Sequence, residues 1–437
     1  MKAGFGEADI TPPPGTRKIG WLKELVGETI RDPLFVRCAV FEEEGESAAI
    51  VQLDLLSIRW SQVAELRRRL EAAYRFPGAR VMVTATHNHA GPAVASIGDV
   101  RRDERYIAFL LERCQEAFGQ ALSAQQPARL GFGHVTDFEL GHNRRVVMRN
   151  GTVKTHGTFA DPQALCLEGP VDPEVAVLGA QDKTGRWLGM LVFFTCHPTH
   201  LGDGPVFSAG FPGECARLLK AMGIPVPLLI NGAAGNVHTS NPVTGRSSSL
   251  EEAGRRLAAD VVEAVGKMDW SERWSVDGET AVLSLRYRDP TPDECSGTLP
   301  GAQRFMDSAI YERAMPGLVA RIRERKVQPA EIQVLRLGKV AIVGIPAEYF
   351  VELGLRIKRE GYPAWVEIAG FTNGMVGYVP TAEAFLRRGY ETTLGPPSRL
   401  APEAGDQIAE AAIHVIRQLW QKKDRVPSMV DKPPRAV

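Results

Sequence analysis

A chain of 437 residues that is 44% hydrophobic and 24% charged, with 43 glycines, has the make-up of a soluble globular protein with room for a large core. Lys plus Arg equals Asp plus Glu at 52 each, so no overall field draws nucleic acid or an anionic membrane, and neither is expected as a partner. The six cysteines (Cys38, Cys114, Cys166, Cys196, Cys215, Cys295) form no C-x-x-C pair, which argues against a disulfide framework or a thiolate zinc site.

The opening Met1-Lys-Ala-Gly-Phe-Gly-Glu-Ala-Asp-Ile-Thr-Pro12 has no apolar stretch after its lysine, so no cleaved signal is expected and the expected location is cytoplasmic. Ser47–Asp54 reads as a strand. Ser61–Tyr74 reads as a helix with Val63, Leu66, Leu70 and Ala73 on one stripe, stopped by Pro77-Gly78. Further helices are predicted over Arg105–Leu122, Pro212–Met222, Ser249–Met268 and Glu403–Gln421, with Pro212 in a first turn where its missing N–H costs nothing. No apolar run reaches the ~18 residues of a transmembrane span. The alternation of strands and helices predicts an α/β fold, a mixed or parallel sheet core flanked by helices. Residues 1–421 read as a single domain with a possible insertion at 269–303, inside which Thr280–Arg288 is a strand candidate; 422–437 lack periodicity and read as a loosely held tail.

One pattern recurs four times: an apolar strand ends and a ligand-type residue stands at its exit. Val81–Thr86 runs into His87 and His89, and Leu191–Thr195 into Cys196, His197 and His200. Pro227–Ile230 runs into Asn231-Gly-Ala-Ala-Gly-Asn-Val-His238, and Lys339–Pro346 into Glu348. Sites in α/β sheets form beyond the carboxyl ends of strands, so convergence of these exits is expected to make a metal site there. Imidazoles with a carboxylate suit zinc. Five of nine histidines (His87, His89, His197, His200, His238) fall in these segments, whereas His134, His142, His156 and His414 do not. A lone histidine at a strand end is more often structural. An H-x-H that places two imidazoles on one strand face is a poor choice for a core and a better one for chemistry.

Cys196 next to His197 is not expected to make a nucleophile pair, because neighbours on an extended chain face opposite ways. Gly232–Gly235 lacks the Lys-Ser/Thr of a phosphate loop, so its glycines are read as a turn or as a close approach to a bound group. The run Arg67-Arg-Arg69 reads as the solvated face of its helix.

The motifs Gly6-Glu-Ala-Asp-Ile-Thr-Pro12, Thr86-His-Asn-His-Ala-Gly-Pro92, Asn143-Arg144, His197-Pro-Thr, Asn231-Gly-Ala-Ala-Gly-Asn236, Pro346-Ala-Glu348, Gly377-Tyr-Val-Pro-Thr-Ala-Glu383 and Gly389-Tyr-Glu391 follow one another in a known order. In that order the chain resembles the catalytic, N-terminal domain of the neutral (non-lysosomal) ceramidase family. The resemblance implies one zinc ion held by His87, His197, Glu348 and Tyr378. It implies catalytic positions for His89, Tyr390 and Arg144, and a substrate-binding role for the Asn231, Gly235 and His238 segment. Where the family has Gly-Asp-Val-Ser-Pro-Asn, this chain has Gly235-Asn-Val-His-Thr-Ser-Asn241, so the family's serine is replaced by His238 or displaced to Ser240. The family's long members carry a C-terminal β-sandwich and usually a secretion signal, neither of which is expected here.

The activity so implied is zinc-dependent hydrolysis of an N-acyl bond in ceramide or a smaller, lipid-like or small-molecule amide. Zinc lowers the pKa of bound water from about 15.7 to about 7, and a histidine near neutrality can take and return its proton. The same attack serves an ester, a lactone or an acylated sugar, and a non-catalytic zinc-binding protein on the same scaffold is a further alternative.

Overall fold

The computed structural model describes residues 1–272 and 274–421, so the expected tail at 422–437 lies outside the described residues. Three mixed sheets make up the body. The first contains β1 (Lys2–Asp9), β2 (Phe35–Glu43), β3 (Glu46–Leu53), β4 (Val81–Ala85) and β5 (Gln126–Pro127), in the order β4-β3-β2-β1-β5. The second contains β6 (Arg129–Thr136), β7 (Glu174–Gln181), β8 (Trp187–Phe194), β9 (Pro227–Asn231) and β10 (Asp269–Ser271), in the order β9-β8-β7-β6-β10. Then come β11 (Val276–Arg286), β12 (Val327–Leu337), β13 (Val340–Gly344), the two-residue β14 (Glu348–Tyr349), β15 (Trp365–Ala369) and the two-residue β16 (Tyr378–Val379). The third sheet runs β11-β12-β13-β15, and β14 pairs with β16.

Each large sheet is antiparallel except for one parallel pair: β3 with β4, β8 with β9, and β13 with β15. The four strands expected to deliver site residues, β4, β8, β9 and β13, all lie in these pairs. Parallel neighbours end on the same side, so the pairs bring their carboxyl ends together.

Side-chain alternation explains why these strands read as continuous apolar runs. Met82, Leu191, Phe193, Leu228, Ile230 and Ile342 point into one core shared by the three sheets. Their neighbours Val81, Val83, Val192, Leu229, Ala341 and Val343 point outward, under helices. Sheets buried on both faces carry apolar residues at odd and even positions alike. Truncating a side chain such as Leu191 to alanine in this shared core costs about 2–5 kcal/mol. A single sheet was the sequence expectation; the division into three is invisible in it, because the patterning of a buried strand does not reveal which strand it pairs with.

Helices α1 (Trp60–Tyr74) and α2 (Glu104–Ser123) cover the first sheet, α3 (Gly210–Ala221) and α4 (Leu250–Gly266) the second, and α5 (Ser308–Arg325), α6 (Val351–Glu360) and α7 (Ala404–Gln421) the third. In α1, Val63, Leu66 and Leu70 are buried as predicted, but Ala73 is exposed because the chain leaves the helix at Arg75, in a left-handed conformation. Ser249 caps α4 through a reciprocal box with Glu252. The sequence gives no clear sign of α5, which contains Pro316, a residue that ordinarily breaks a helix; Ile310, Tyr311, Met315, Leu318 and Ile322 anchor it to the core. Within 269–303, β11 pairs along its whole length with β12 and starts earlier than the predicted Thr280.

The arginine run on α1 is only partly solvated. Arg68 and Arg69 pair with Glu65 on the surface, but Arg67 reaches Glu331 of β12 at 2.8 Å and the Val81 carbonyl, tying α1 to two sheets. Among the described residues no helix is long and apolar enough to cross a membrane.

Candidate metal centre and substrate cavity

β4 ends at Ala85, so His87 and His89 do not share a strand face as the H-x-H spacing suggested. Instead His87 adopts a left-handed backbone (φ 66°), which turns the chain so that both imidazoles enter the same space. Such a conformation costs a non-glycine residue about 1–3 kcal/mol and persists where surrounding contacts hold it. The contacts here are a stacked Phe371 ring, with centroids 4.0 Å apart, and the Leu56 carbonyl 2.8 Å from His87 Nδ1.

His197 follows β8. Its backbone N–H donates to the Val237 carbonyl at 3.0 Å, and its Nδ1 lies 3.1 Å from the Ala234 carbonyl. Cys196 faces the opposite way, with its thiol toward the Leu140 carbonyl, so no nucleophile pair forms. Asn231, expected to bind substrate, does not reach the cavity. Its side chain donates to the Thr86 and Cys196 carbonyls and accepts from the Cys196 N–H, clamping the exits of β4, β8 and β9 together.

A carbonyl can only accept, so Nδ1 of both His87 and His197 must carry the hydrogen, which leaves Nε2 of each as a bare lone pair. Those two Nε2 atoms are 2.9 Å apart. Glu348 adds a carboxylate oxygen 3.5 Å from His87 Nε2 and 3.7 Å from His197 Nε2. Two lone pairs and an anion facing one another in a buried pocket repel unless a cation lies among them. The two-nitrogen, one-oxygen donor set fits zinc. His89 Nε2 lies 3.3 Å from His87 Nε2, and the ligand atoms of His87, His89 and His197 all fall within 4.8 Å of one another. The structure therefore brings three imidazoles together where the resemblance implies two ligands and one catalytic group.

Glu348 and Tyr378 are adjacent across the β14–β16 pairing, and the Tyr378 hydroxyl shares a hydrogen bond with the Glu348 carboxylate. Burial, and then the Glu348 charge, push the Tyr378 phenol well above its ordinary pKa, while Arg144 pulls the other way. Arg144 donates to the Tyr378 hydroxyl at 3.1 Å, to the Gly235 carbonyl at 2.8 Å and to Glu391 at 2.9 Å. Despite burial, its guanidinium is held above the usual range by Tyr378 and Glu391. Gly235 thus takes part through its backbone and not through contact with a bound molecule: a Cβ there would stand 2.5 Å from the Glu348 carbonyl oxygen. The amides of Gly232 and Gly235 donate to Phe194 and Tyr349, so the glycine loop is a packed turn and not a cradle.

Above the centre opens a cavity of about 680 Å³ lined by His87, His89, His197, Glu348, Tyr378 and Tyr390 among others. Burial, then the neighbouring His87 and Arg144, hold His89 well below the usual histidine pKa, so its ring is neutral. Trp21 packs edge-on against His89 at 5.3 Å, and its buried indole N–H has no hydrogen-bond partner among the described residues. His238 lines the cavity. Its Nδ1 accepts from the Ser240 amide and its Nε2 meets the Thr199 hydroxyl at 2.7 Å, which leaves Ser240 behind it and outside the cavity lining. His200 bonds the Ser248 carbonyl and does not line the cavity.

Sequence reasoning missed His156. It lines the cavity and meets the His238 ring edge-on at 4.8 Å, and burial lowers its pKa to about 4. A signal was present: Asn150-Gly151 is a hairpin dipeptide. The hairpin pairs Arg145 with Thr155, so His156 returns beside Arg144.

No protein-family model matches the chain. Among curated proteins, the neutral ceramidase of Pseudomonas aeruginosa is 23% identical over 479 aligned positions, covering 91% of this chain and 70% of that protein. The neutral ceramidase of Mycobacterium tuberculosis is 30% identical over 118 positions, 22% of this chain and 18% of that protein. Among solved structures, the crystal structure of the Pseudomonas aeruginosa neutral ceramidase matches with a TM-score of 0.75 at 21% identity, covering 96% of this chain and 74% of that one. A ceramidase complexed with C2 matches with a TM-score of 0.76 at 19% identity, covering 100% of this chain and 77% of that one.

Proposed function

Since the chain is a homologue of neutral ceramidase over most of its length, we propose that it is a zinc-dependent hydrolase of N-acyl bonds, acting on ceramide or a smaller acylated amine. The observation that carries this reading is the pair of bare Nε2 lone pairs of His87 and His197, 2.9 Å apart and faced by Glu348. With Tyr378 beside Glu348, these residues would hold the metal. When bound, the ion lowers the pKa of its water to about 7 and polarises the scissile carbonyl.

The protein groups do the rest. His89, a neutral imidazole, takes the proton from the attacking water and returns it to the departing nitrogen, a task worth about two to four orders of magnitude in rate. Tyr390 lies over the centre, 5.7 Å ring to ring from Tyr378, where its hydroxyl donates to the oxyanion as charge develops. Arg144 is less free: its donors are committed to Glu391, Gly235 and Tyr378, so it acts by orienting Tyr378 and by its charge. His238 and Trp21 line the substrate's path.

The test is fatty-acid release from ceramide and from short N-acyl amines by the zinc-loaded protein, with a chelated control. Release that stops with chelation supports the reading. Release that continues unchanged after the metal has been stripped, verified by metal analysis, contradicts it.

A further inference from the structure

Six arginines line the cavity (Arg59, Arg101, Arg144, Arg313, Arg321 and Arg399) against two carboxylates, Asp99 and Glu348. In a chain with equal numbers of acids and bases this is a local concentration and not a bulk excess. Two of the six are neutralised: Arg313 by Asp99 at 2.6 Å, and Arg144 by Glu391. Of the cavity carboxylates, Asp99 is engaged by Arg313, and Glu348 faces the imidazole centre next to Tyr378.

Arg59, Arg321 and Arg399 have no carboxylate partner among the described residues, and all three line this cavity. Arg59 donates to the Met375 carbonyl at 3.3 Å and lies over the Trp60 ring; Arg399 donates to the Pro396 carbonyl at 2.7 Å. These contacts fix the two side chains without cancelling their charge. Burial, then the like charges of Arg399, Arg321 and Arg102, push the Arg59 guanidinium down to about 10. Burial also lowers Arg399; Tyr287 opposes this, Arg321 adds to it, and the charge of Glu348 reaches it. Arg59, Arg321 and Arg399 line the same cavity as His87, His197 and Glu348.

Arg59 and Arg399 are half-buried and Arg321 is exposed; like charges around one cavity are costly where they are desolvated unless an anion completes them, and guanidinium forks match the planar oxygens of an oxyanion. Ceramide carries no such group. We propose that the preferred substrate is an acylated amine bearing an oxyanion, a carboxylate, sulfate or phosphate, held by Arg59, Arg321 and Arg399 while its acyl bond lies at the imidazole centre. This rests on the hydrolase reading above and narrows it to anionic substrates.

The test compares N-octanoylglycine with N-octanoylethanolamine, matched in chain length and differing in the terminal carboxylate, on the zinc-loaded full chain. Octanoate release should favour the glycine conjugate by about tenfold or more in kcat/KM, the worth of a charge-assisted hydrogen bond. Arg321→Ala and Arg399→Gln should each collapse that ratio, chiefly through KM, and rising salt should do the same. Sulfate and phosphate should compete with the glycine conjugate; competition by phosphate at much lower concentration than by a free carboxylate such as acetate would assign the group to a phosphorylated amine. A ratio at or below one, or a ratio unchanged in both variants, overturns the proposal. Calorimetric titration with N-octanoylglycine separates the two readings. Binding lost in Arg321→Ala, with neither compound hydrolysed, supports the anion pocket and contradicts the hydrolase. Zinc-dependent release from the neutral compound, without binding of the charged one, keeps the hydrolase and overturns the anion pocket.

Discussion

Glu391 receives two buried arginines at once: Arg144 Nε at 2.9 Å on one oxygen and Arg145 Nη1 at 2.6 Å on the other. Thr155 adds a hydroxyl at 2.9 Å. Tyr390 is the preceding residue and Tyr378 the next partner of Arg144, so one carboxylate aligns both tyrosines of the cavity.

Replacing that carboxylate leaves buried Arg144 with no carboxylate partner and Arg145 with Glu168 alone. Glu391→Gln should cost about 3–5 kcal/mol in denaturant unfolding. Burial opposes the charge on Glu391, yet Arg145 and Arg144 outweigh it and hold its pKa at about 2. A folded pKa below the unfolded value means stability present above about pH 4.5 and lost as pH falls toward 2. Wild-type stability should accordingly fall more steeply with acid than that of Glu391→Gln; equal slopes would contradict the assignment.

Zinc should raise the melting temperature of the wild type, by an amount equivalent to about 2.7 kcal/mol at a hundredfold excess over Kd. His87→Ala and His197→Ala should abolish that rise. His89→Ala should keep it while losing turnover by about two to four orders of magnitude. If His89→Ala loses the rise as fully as His87→Ala, the third imidazole is a ligand and not the base.

Gly235→Ala touches no ligand side chain. Its new methyl would meet the Glu348 carbonyl oxygen at 2.5 Å, and overpacking of this kind costs about 1–3 kcal/mol. Weaker zinc retention against a chelator is the expected result, and unchanged retention would show that β14 yields freely.

Lys358 of α6 lies 2.8 Å from both Asp172 and Glu174 and 3.5 Å from Glu367 of β15, joining the second and third sheets. Burial raises Glu367 to about 8 even with Lys358 opposing it. Lys358→Met should destabilise by about 3–5 kcal/mol, and adding Glu367→Gln should recover part of the loss. A simple sum of the two single effects would argue against a shared network.

On α4, burial and the neighbouring Asp137 raise the Asp260 carboxyl to about 8. The folded state then holds a proton that the unfolded chain releases near pH 4, so stability falls as pH rises between these values. Asp260→Asn should melt above the wild type at pH 8.5 and near it at pH 4. The reverse order would place the proton elsewhere.

Much of this arrangement was legible in the sequence, and for identifiable reasons. Strand exits at His87, His197 and Glu348 are short-range signals, an apolar run followed by a ligand residue, and the fold places all three together. Asn231 was read as a contact for substrate because a polar side chain in a glycine loop looks the same whether it faces a cavity or a backbone; only the carbonyls of Thr86 and Cys196, distant in the chain, decide. Gly235 was misplaced for a like reason, since the close approach it permits is to Glu348. The arginines of the cavity come from separate stretches that share no motif, and Arg59 and Arg399 line one cavity only when the first and third sheets dock. Ala73 and α5 show the opposite limit, where local propensity was outvoted by where the chain had to turn or pack.

The clamping asparagines have one more consequence. The backbone amides of Val83 and Val351 are donated to the side-chain oxygens of Asn373, which follows β15 of the third sheet, and Asn236, which follows β9 of the second. Their protection from solvent deuterium therefore reports whether the sheets stay docked, independently of whether each sheet stays hydrogen-bonded within itself. The histidines and Glu348 come from strands of different sheets, so a brief parting of those sheets scatters the centre while every ladder remains intact. The lifetime of the site is then that of the seam and not that of the fold, and these two amides are its clock.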